Sequence, residues 1–154
     1  MIWIIVTLGI LLAIVSFIAF RLIKRELNKV CIPFNSNYSI IELIYISCTC
    51  SGKNLCFIVD TGCSATTIKQ ETLDKLPHKK RRRKNISYGI VGESYRGILR
   101  SIDVQIAEHH FEIFCYTIDY DCNLPEGIDG LLGSDFFSKY GWCIDYKQKC
   151  IIIN

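Results

Sequence analysis

Asp60-Thr61-Gly62-Cys63-Ser64 brings a carboxylate, two hydroxyls and a glycine together directly after the apolar run Leu55 to Val59. Five apolar residues of this kind suit a short buried strand. An ionised Asp at the end of such a strand is costly unless it is hydrogen-bonded or performs chemistry. Gly62 permits a tight turn that lets backbone amides approach the carboxylate. Ser64 can donate its hydroxyl proton from the far side of the turn. The expected result is one Asp held at the tip of a loop and open on one side, placed for acid or base work. An acidic strand-to-turn transition without chemistry would carry the same three residues, so the rest of the chain decides. A second segment, Ile128-Asp129-Gly130-Leu131-Leu132-Gly133-Ser134-Asp135, has two glycines that allow close backbone approach, and Gly130 lies 70 residues after Asp60.

The first stretch resembles the apolar-apolar-D-T-G-x-S signature of pepsin-like and retropepsin-like aspartic proteases, with Cys63 where Ala is usual. Gly130, Leu131, Leu132 and Gly133 resemble the family's partner segment, which packs beside the catalytic strand in a psi loop. The resemblance covers Tyr38 to Asn154 and implies a mainly β, closed β-barrel-like retropepsin domain with one or two short helices. It implies Asp60 as the catalytic carboxylate, with Thr61, Gly62 and Ser64 in support. It also places a flap at Tyr88, Gly89, Ile90, Val91 and Gly92, closing over a bound peptide. Aspartic proteolysis uses two carboxylates sharing one proton. This chain has a single D-T-G, and the resemblance gives Asp129 and Asp135 structural positions. The second Asp60 then comes from a second chain in a two-fold homodimer. Thr61 would bond across the two-fold, and Ser64 would orient the outer oxygen of Asp60. The mechanism calls for no cofactor and no metal. Two readings remain: an active endopeptidase, and a silent domain that uses the same cleft to bind peptides or assemble a membrane complex. The intact D-T-G-x-S favours the first.

The elements that must position these residues follow the same order. Tyr38 to Ser47 and Leu55 to Val59 read as a hairpin around Ser51-Gly52-Lys53-Asn54. Ala65 to Ile68 is a short strand, and Lys69 to Leu76 has helical spacing that stops before Pro77. Ile86 to Ile98 is a glycine-bearing hairpin, followed by strands Leu99 to Ile106 and Phe111 to Tyr120, with His109 and His110 in the turn between them. Asp135 to Tyr140 is a short helix capped by Ser134 or Asp135 and stopped by Gly141. Trp142 to Tyr146 and Cys150 to Ile153 form a last hairpin.

Ile2 to Phe20 carries no charge, and as a helix it would be roughly 28 Å long, close to the hydrocarbon thickness of a bilayer. With no basic residue before it and no small-x-small site after it, it reads as an uncleaved anchor rather than a signal peptide. The expected organisation is an anchor over residues 1–23, a linker over 24–37 and the protease-like domain over 38–154. Arg21, Lys24, Arg25 and Lys29 follow the span, which directs the domain to the cytoplasm. Nine cysteines are an odd number, with no paired C-x-x-C and only three histidines, so they read as reduced core residues rather than zinc ligands. Cys48 and Cys50 should face the same way on a strand. Lys79 to Lys84 are six consecutive cations; removing these six from 18 leaves 12 against 15 acidic residues, so the net charge of +3 resides in them. They read as a solvated loop, with anionic lipid headgroups as the natural partner beside an anchor. No aromatic residues are interleaved with them, so no nucleic acid is expected.

Overall fold

A computed structural model describes residues 2–27, 29–34, 43–88, 94–118 and 124–153. The first element is a 26-residue helix, α1 (Ile2–Leu27), of which Val6 to Lys24 is long and apolar enough to cross a membrane and is nowhere buried against the protein.

Alternation of buried and exposed residues builds the barrel. Along β2 (Tyr45–Cys50), Ile46, Cys48 and Cys50 point inward, so Cys48 and Cys50 do share a face. The turn to β3 (Lys53–Asp60) is two residues long, with Ser51 and Gly52 both at positive φ, the conformation that matches the twist of a hairpin. Leu55 and Phe57 on β3 join the core. The chain continues through β4 (Thr67–Lys69), a four-residue α2 (Gln70–Leu73), β5 (Lys79–Tyr88), β6 (Ser94–Ile106), β7 (His109–Ile118) and β8 (Gly130–Gly133). The larger sheet has the order β2-β3-β8-β4-β7-β6-β5, and pairing of Thr49 with Gln105 joins β2 to β6, closing six strands into a barrel. Ile68, Ile102, Val104, Ile106, Ile113, Cys115 and Leu132 fill it.

Helix α3 (Ser134–Tyr140) buries Phe136 and Phe137 against Phe111, Tyr140 and Trp142, with Phe111–Trp142 and Phe136–Trp142 meeting edge to face at 4.9 Å. Gly141 stops the helix in the left-handed conformation, φ 65°. The N-cap is Gly133 rather than Ser134 or Asp135, because the Asp135 side chain is engaged elsewhere.

Several expectations need correction. Val30–Pro33, inside the segment read as a linker, forms strand β1, which pairs with β10 (Cys150–Ile153). With β9 (Cys143–Asp145) they make a three-stranded sheet, β1-β10-β9. Cys31 and Cys150 are joined by a disulfide, so the cysteines are not all reduced. The basic run is not a loop: Lys79 to Lys84 lie in β5, the edge strand of the larger sheet. Cations on an edge discourage pairing with another chain. The register slips between Lys80, opposite Arg100, and Lys84, opposite Ile98. Arg81 pairs with Glu112 and donates to Ser101 Oγ at 3.2 Å, so it is not a free surface cation. His109 and His110 begin β7, and the turn before them is Ala107-Glu108. Tyr88 ends β5, and the flap residues Gly89, Ile90, Val91 and Gly92 lie outside the described residues.

Candidate active site

Asp60 is the last residue of β3, and its neighbour across the parallel β3/β8 pair is Gly133. Cys56, Ile58 and Asp60 face away from the core that Leu55 and Phe57 enter. The half-buried Asp60 carboxylate accepts the Gly62 amide proton at 3.0 Å, and the Asp60 carbonyl accepts from the Cys63 amide at 3.1 Å. Gly62 is needed for space rather than for an unusual φ. A Cβ there would stand 3.2 Å from Asp60 Oδ1, pressing on the carboxylate. Thr61 and Ser64 are exposed. Among the described residues Ser64 makes no hydrogen bond to Asp60. The Cys63 thiol donates to the Ala65 carbonyl at 3.0 Å.

Two clasps hold this loop against β8 and α3. The Cys63 carbonyl accepts from the Ser134 amide at 2.8 Å and from the Ser134 hydroxyl at 3.1 Å. The wholly buried Thr66 donates its amide at 2.9 Å and its hydroxyl at 2.8 Å to Asp135 Oδ1. The Thr66 hydroxyl in turn accepts the Gly133 amide at 3.0 Å. Gly133 and Gly130 admit no side chain. A Cβ at Gly133 would lie 2.7 Å from the Ala65 carbonyl carbon, and one at Gly130 would lie 2.1 Å from the Thr67 carbonyl oxygen.

Asp129 and Asp135 are both occupied. Asp129 accepts the Cys56 amide at 2.8 Å and the Thr72 hydroxyl at 2.9 Å, tying the approach to β8 onto β3 and α2. Of these three carboxylates, Asp60 is the one whose bonds, among the described residues, come only from its own turn.

Register shows what sequence reasoning missed. Ile58 on β3 pairs with Leu131 on β8, Leu131 with Thr67 on β4, and Thr67 with Tyr116 on β7. Paired residues share a face, so this row lies on the Asp60 side of the wall, one step below the carboxylate. No spacing in the sequence could reveal it, since it draws on four strands. The Thr66–Asp135 bond joins residues 69 apart and was equally hidden.

Cysteine chemistry finds no support here. Burial pushes the Cys48 and Cys115 thiols up to about 12, and burial with the nearby Asp129 charge raises Cys56. Such thiols stay protonated and pack as small apolar groups. Among the described residues no three His, Cys, Asp or Glu side chains gather to hold a metal ion.

The chain is similar in fold to a retropepsin-like aspartic protease from Rickettsia conorii, at 21% identity and TM-score 0.52, covering 82% of this chain and 90% of that one. It is likewise similar to the retroviral protease-like domain of Ddi1 from Leishmania major, at 18% identity and TM-score 0.52, covering 74% and 90%. No sequence match was found among curated proteins. The family model described as aspartyl protease matches residues 46–136, which include Asp60, the Thr66–Asp135 clasp and β8. With that match spanning more than half of its length, and with a closed barrel of retropepsin type around Asp60, this chain belongs to the aspartyl protease family.

Proposed function

We propose that this chain is an aspartic endopeptidase that acts as a homodimer, with one Asp60 from each protomer. The observation that carries the reading is the contrast between Asp60, whose carboxylate among the described residues accepts from the amide of Gly62 alone, and Asp129 and Asp135, which are bonded to neighbouring elements. A chain with one open carboxylate supplies half of a two-carboxylate site, and a two-fold axis supplies the other half. Two carboxylates about 3 Å apart share one proton. The ionised one takes a proton from a water as it attacks the peptide carbonyl. The protonated one donates to the carbonyl oxygen, giving a tetrahedral diol whose collapse breaks the C–N bond. Thr61, exposed in the single chain, would bond across the two-fold. Gly89 to Gly92 would close over an extended peptide, and the row Ile58, Leu131, Thr67 and Tyr116 would meet its side chains.

Helix α1 is proposed as a single-pass anchor that raises the effective protomer concentration. The cations after the span direct the barrel to the cytoplasm, whereas the Cys31–Cys150 bond suits an oxidising compartment. The orientation proposed here follows the charge rule, and on that side of the membrane the Cys31–Cys150 bond is open to reduction by cellular thiols. Lys79 and Lys80 are exposed on β5, but Lys79 is paired with Asp103 at 3.3 Å and Arg81 with Glu112, so Lys80 is the cation offered to anionic headgroups.

A silent peptide-binding module is the second reading, favoured by Cys63 at the usual Ala position and by the basic run on β5. A peptide library separates the two. The enzyme cuts it, is blocked by a statine-type transition-state analogue, and loses specific activity on dilution. Binding without cleavage by a verified dimer would leave only the module. Undiminished specific activity from a species shown to be monomeric would mean that the second acid lies within the chain.

A further inference from the structure

Three cysteines lie on one face of the small sheet. Cys31 of β1 and Cys143 of β9 have the same register partner, Ile152 of β10. Cys150 lies two residues from Ile152 along β10, so its side chain emerges on that same face. Cys31 is bonded to Cys150 across a Cα–Cα distance of 5.7 Å. Cys143 is therefore the diagonal neighbour of Cys150 across the β9/β10 pair, on the diagonal of opposite slant to the one Cys31 takes across the β1/β10 pair. A diagonal that carries a disulfide on one side of β10 has its counterpart on the other. Cys143 is free and exposed, while Cys150 is 1% exposed, shielded from large thiols in solution but flanked by this one. The other described cysteines outside that disulfide, Cys48, Cys50, Cys56, Cys63 and Cys115, are buried or half-buried and belong to the barrel and the Asp60 loop.

We propose that Cys31, Cys143 and Cys150 form a thiol–disulfide exchange site that unclasps the anchor-proximal strand β1 from the barrel. The Cys143 thiolate attacks Cys150 Sγ from the β9 side. A Cys143–Cys150 bond forms, the Cys31–Cys150 bond breaks, and Cys31 leaves as a thiolate that takes a proton from water. One disulfide and one thiol exist before and after, so no external oxidant or reductant enters. The mechanical consequence is large. The Cys31–Cys150 bond spans 119 residues and ties the strand next to α1 to the end of the chain. Its replacement closes only the short β9–β10 connection. Edge strand β1 is then kept by its pairing with β10 and by the bond from the Phe34 amide to the Lys149 carbonyl, and it can fray. The state of this site sets whether the barrel is covalently fixed beside its apolar helix.

The test uses the full chain in a non-ionic detergent, as wild type, Cys31→Ser and Cys143→Ser. Samples are held at about pH 8, in the mildly alkaline range in which thiol–disulfide exchange is commonly run. They are then quenched in acid, capped with a maleimide and digested with trypsin. Lys147 and Lys149 give cuts that separate Cys143 from Cys150, so each linkage has its own peptide mass. Wild type should yield both the Cys31–Cys150 and Cys143–Cys150 peptides, and Cys143→Ser only the first. Cys31→Ser, treated with glutathione disulfide, should lose maleimide capping at Cys143 and Cys150 together. The proposal is overturned if wild type yields the Cys31–Cys150 peptide alone. It is equally overturned if treated Cys31→Ser, with native Trp142 fluorescence, keeps both thiols open to capping.

Discussion

Removing the Asp135 side chain tests the clasp that holds the Asp60 loop. Its Oδ1 accepts the Thr66 amide at 2.9 Å, the Thr66 hydroxyl at 2.8 Å and the Phe136 amide at 2.9 Å. Thr66 is wholly buried, so Asp135→Ala leaves an N–H and an O–H without an acceptor in a dry site. Each orphaned group costs about 1–3 kcal/mol, and the half-exposed position of Asp135 lets some water in, so the total expected is roughly 3 kcal/mol. Asp135→Asn keeps an acceptor oxygen and loses only charge assistance, about 1 kcal/mol. The double variant Thr66→Val with Asp135→Ala removes donor hydroxyl and acceptor together and should recover about 1 kcal/mol relative to the sum of the single variants. Urea unfolding of the chain in detergent, followed by the fluorescence of buried Trp142, reads these differences. With a slope of about 1.5 kcal/mol/M, Asp135→Ala should lower the midpoint by about 2 M. A change below about 0.5 M for Asp135→Ala, or an Asn variant as unstable as the Ala variant, would refute the reasoning.

Asp60→Asn should abolish peptide hydrolysis with the unfolding midpoint unchanged, and in excess it should poison wild type through mixed dimers; Asp129→Asn and Asp135→Asn should still cut. Gly130→Ala should fail to give a folded barrel, since its Cβ would stand 2.1 Å from the Thr67 carbonyl oxygen, whereas Gly141→Ala, strained only by its φ of 65°, should fold with a loss of about 1 kcal/mol by urea unfolding. Burial pushes the Glu112 carboxyl up, but hydrogen bonds from Arg81 and Ser101 and the charges of Arg81 and Lys139 outweigh it and hold it below the ordinary 4.5. Its contribution to stability is therefore complete above pH 4.5 and lost as pH falls below that through the lowered folded-state value, and Glu112→Gln should flatten that limb of a plot of Tm against pH. A membrane-impermeant maleimide should label exposed Cys143 only after cells are permeabilised; labelling of intact cells would reverse the proposed orientation.

Local chemistry made much of the barrel legible in advance. The strand expected over Leu55 to Val59 is part of β3 (Lys53–Asp60), which runs one residue past the apolar run before Thr61 and Gly62 turn the chain. Cys48 and Cys50 face inward together, as a two-residue period requires. Gly141 stops α3 because few other residues accept its φ. The close approach at Gly130 and Gly133 was likewise written in the residues.

Other features depended on partners distant in the chain. Nothing in Val30–Pro33 marks a strand until β10, some 120 residues later, supplies its hydrogen bonds, and the Cys31–Cys150 bond follows from that pairing. Lys79 to Lys84 have the composition of a solvated loop, yet β6 offers them backbone partners, and strand formation is decided by that pairing when the side chains are indifferent to burial. Ser64 could have reached Asp60 by its type and spacing, but the loop is drawn instead toward Ser134 and Asp135. The sequence by itself marked Asp60 and its glycine turn as the candidate site, because they are a local arrangement. Only the tertiary structure decided which carboxylates were already occupied and which cysteines were neighbours, because hydrogen bonds and disulfides form between groups close in space, however far apart they are along the chain.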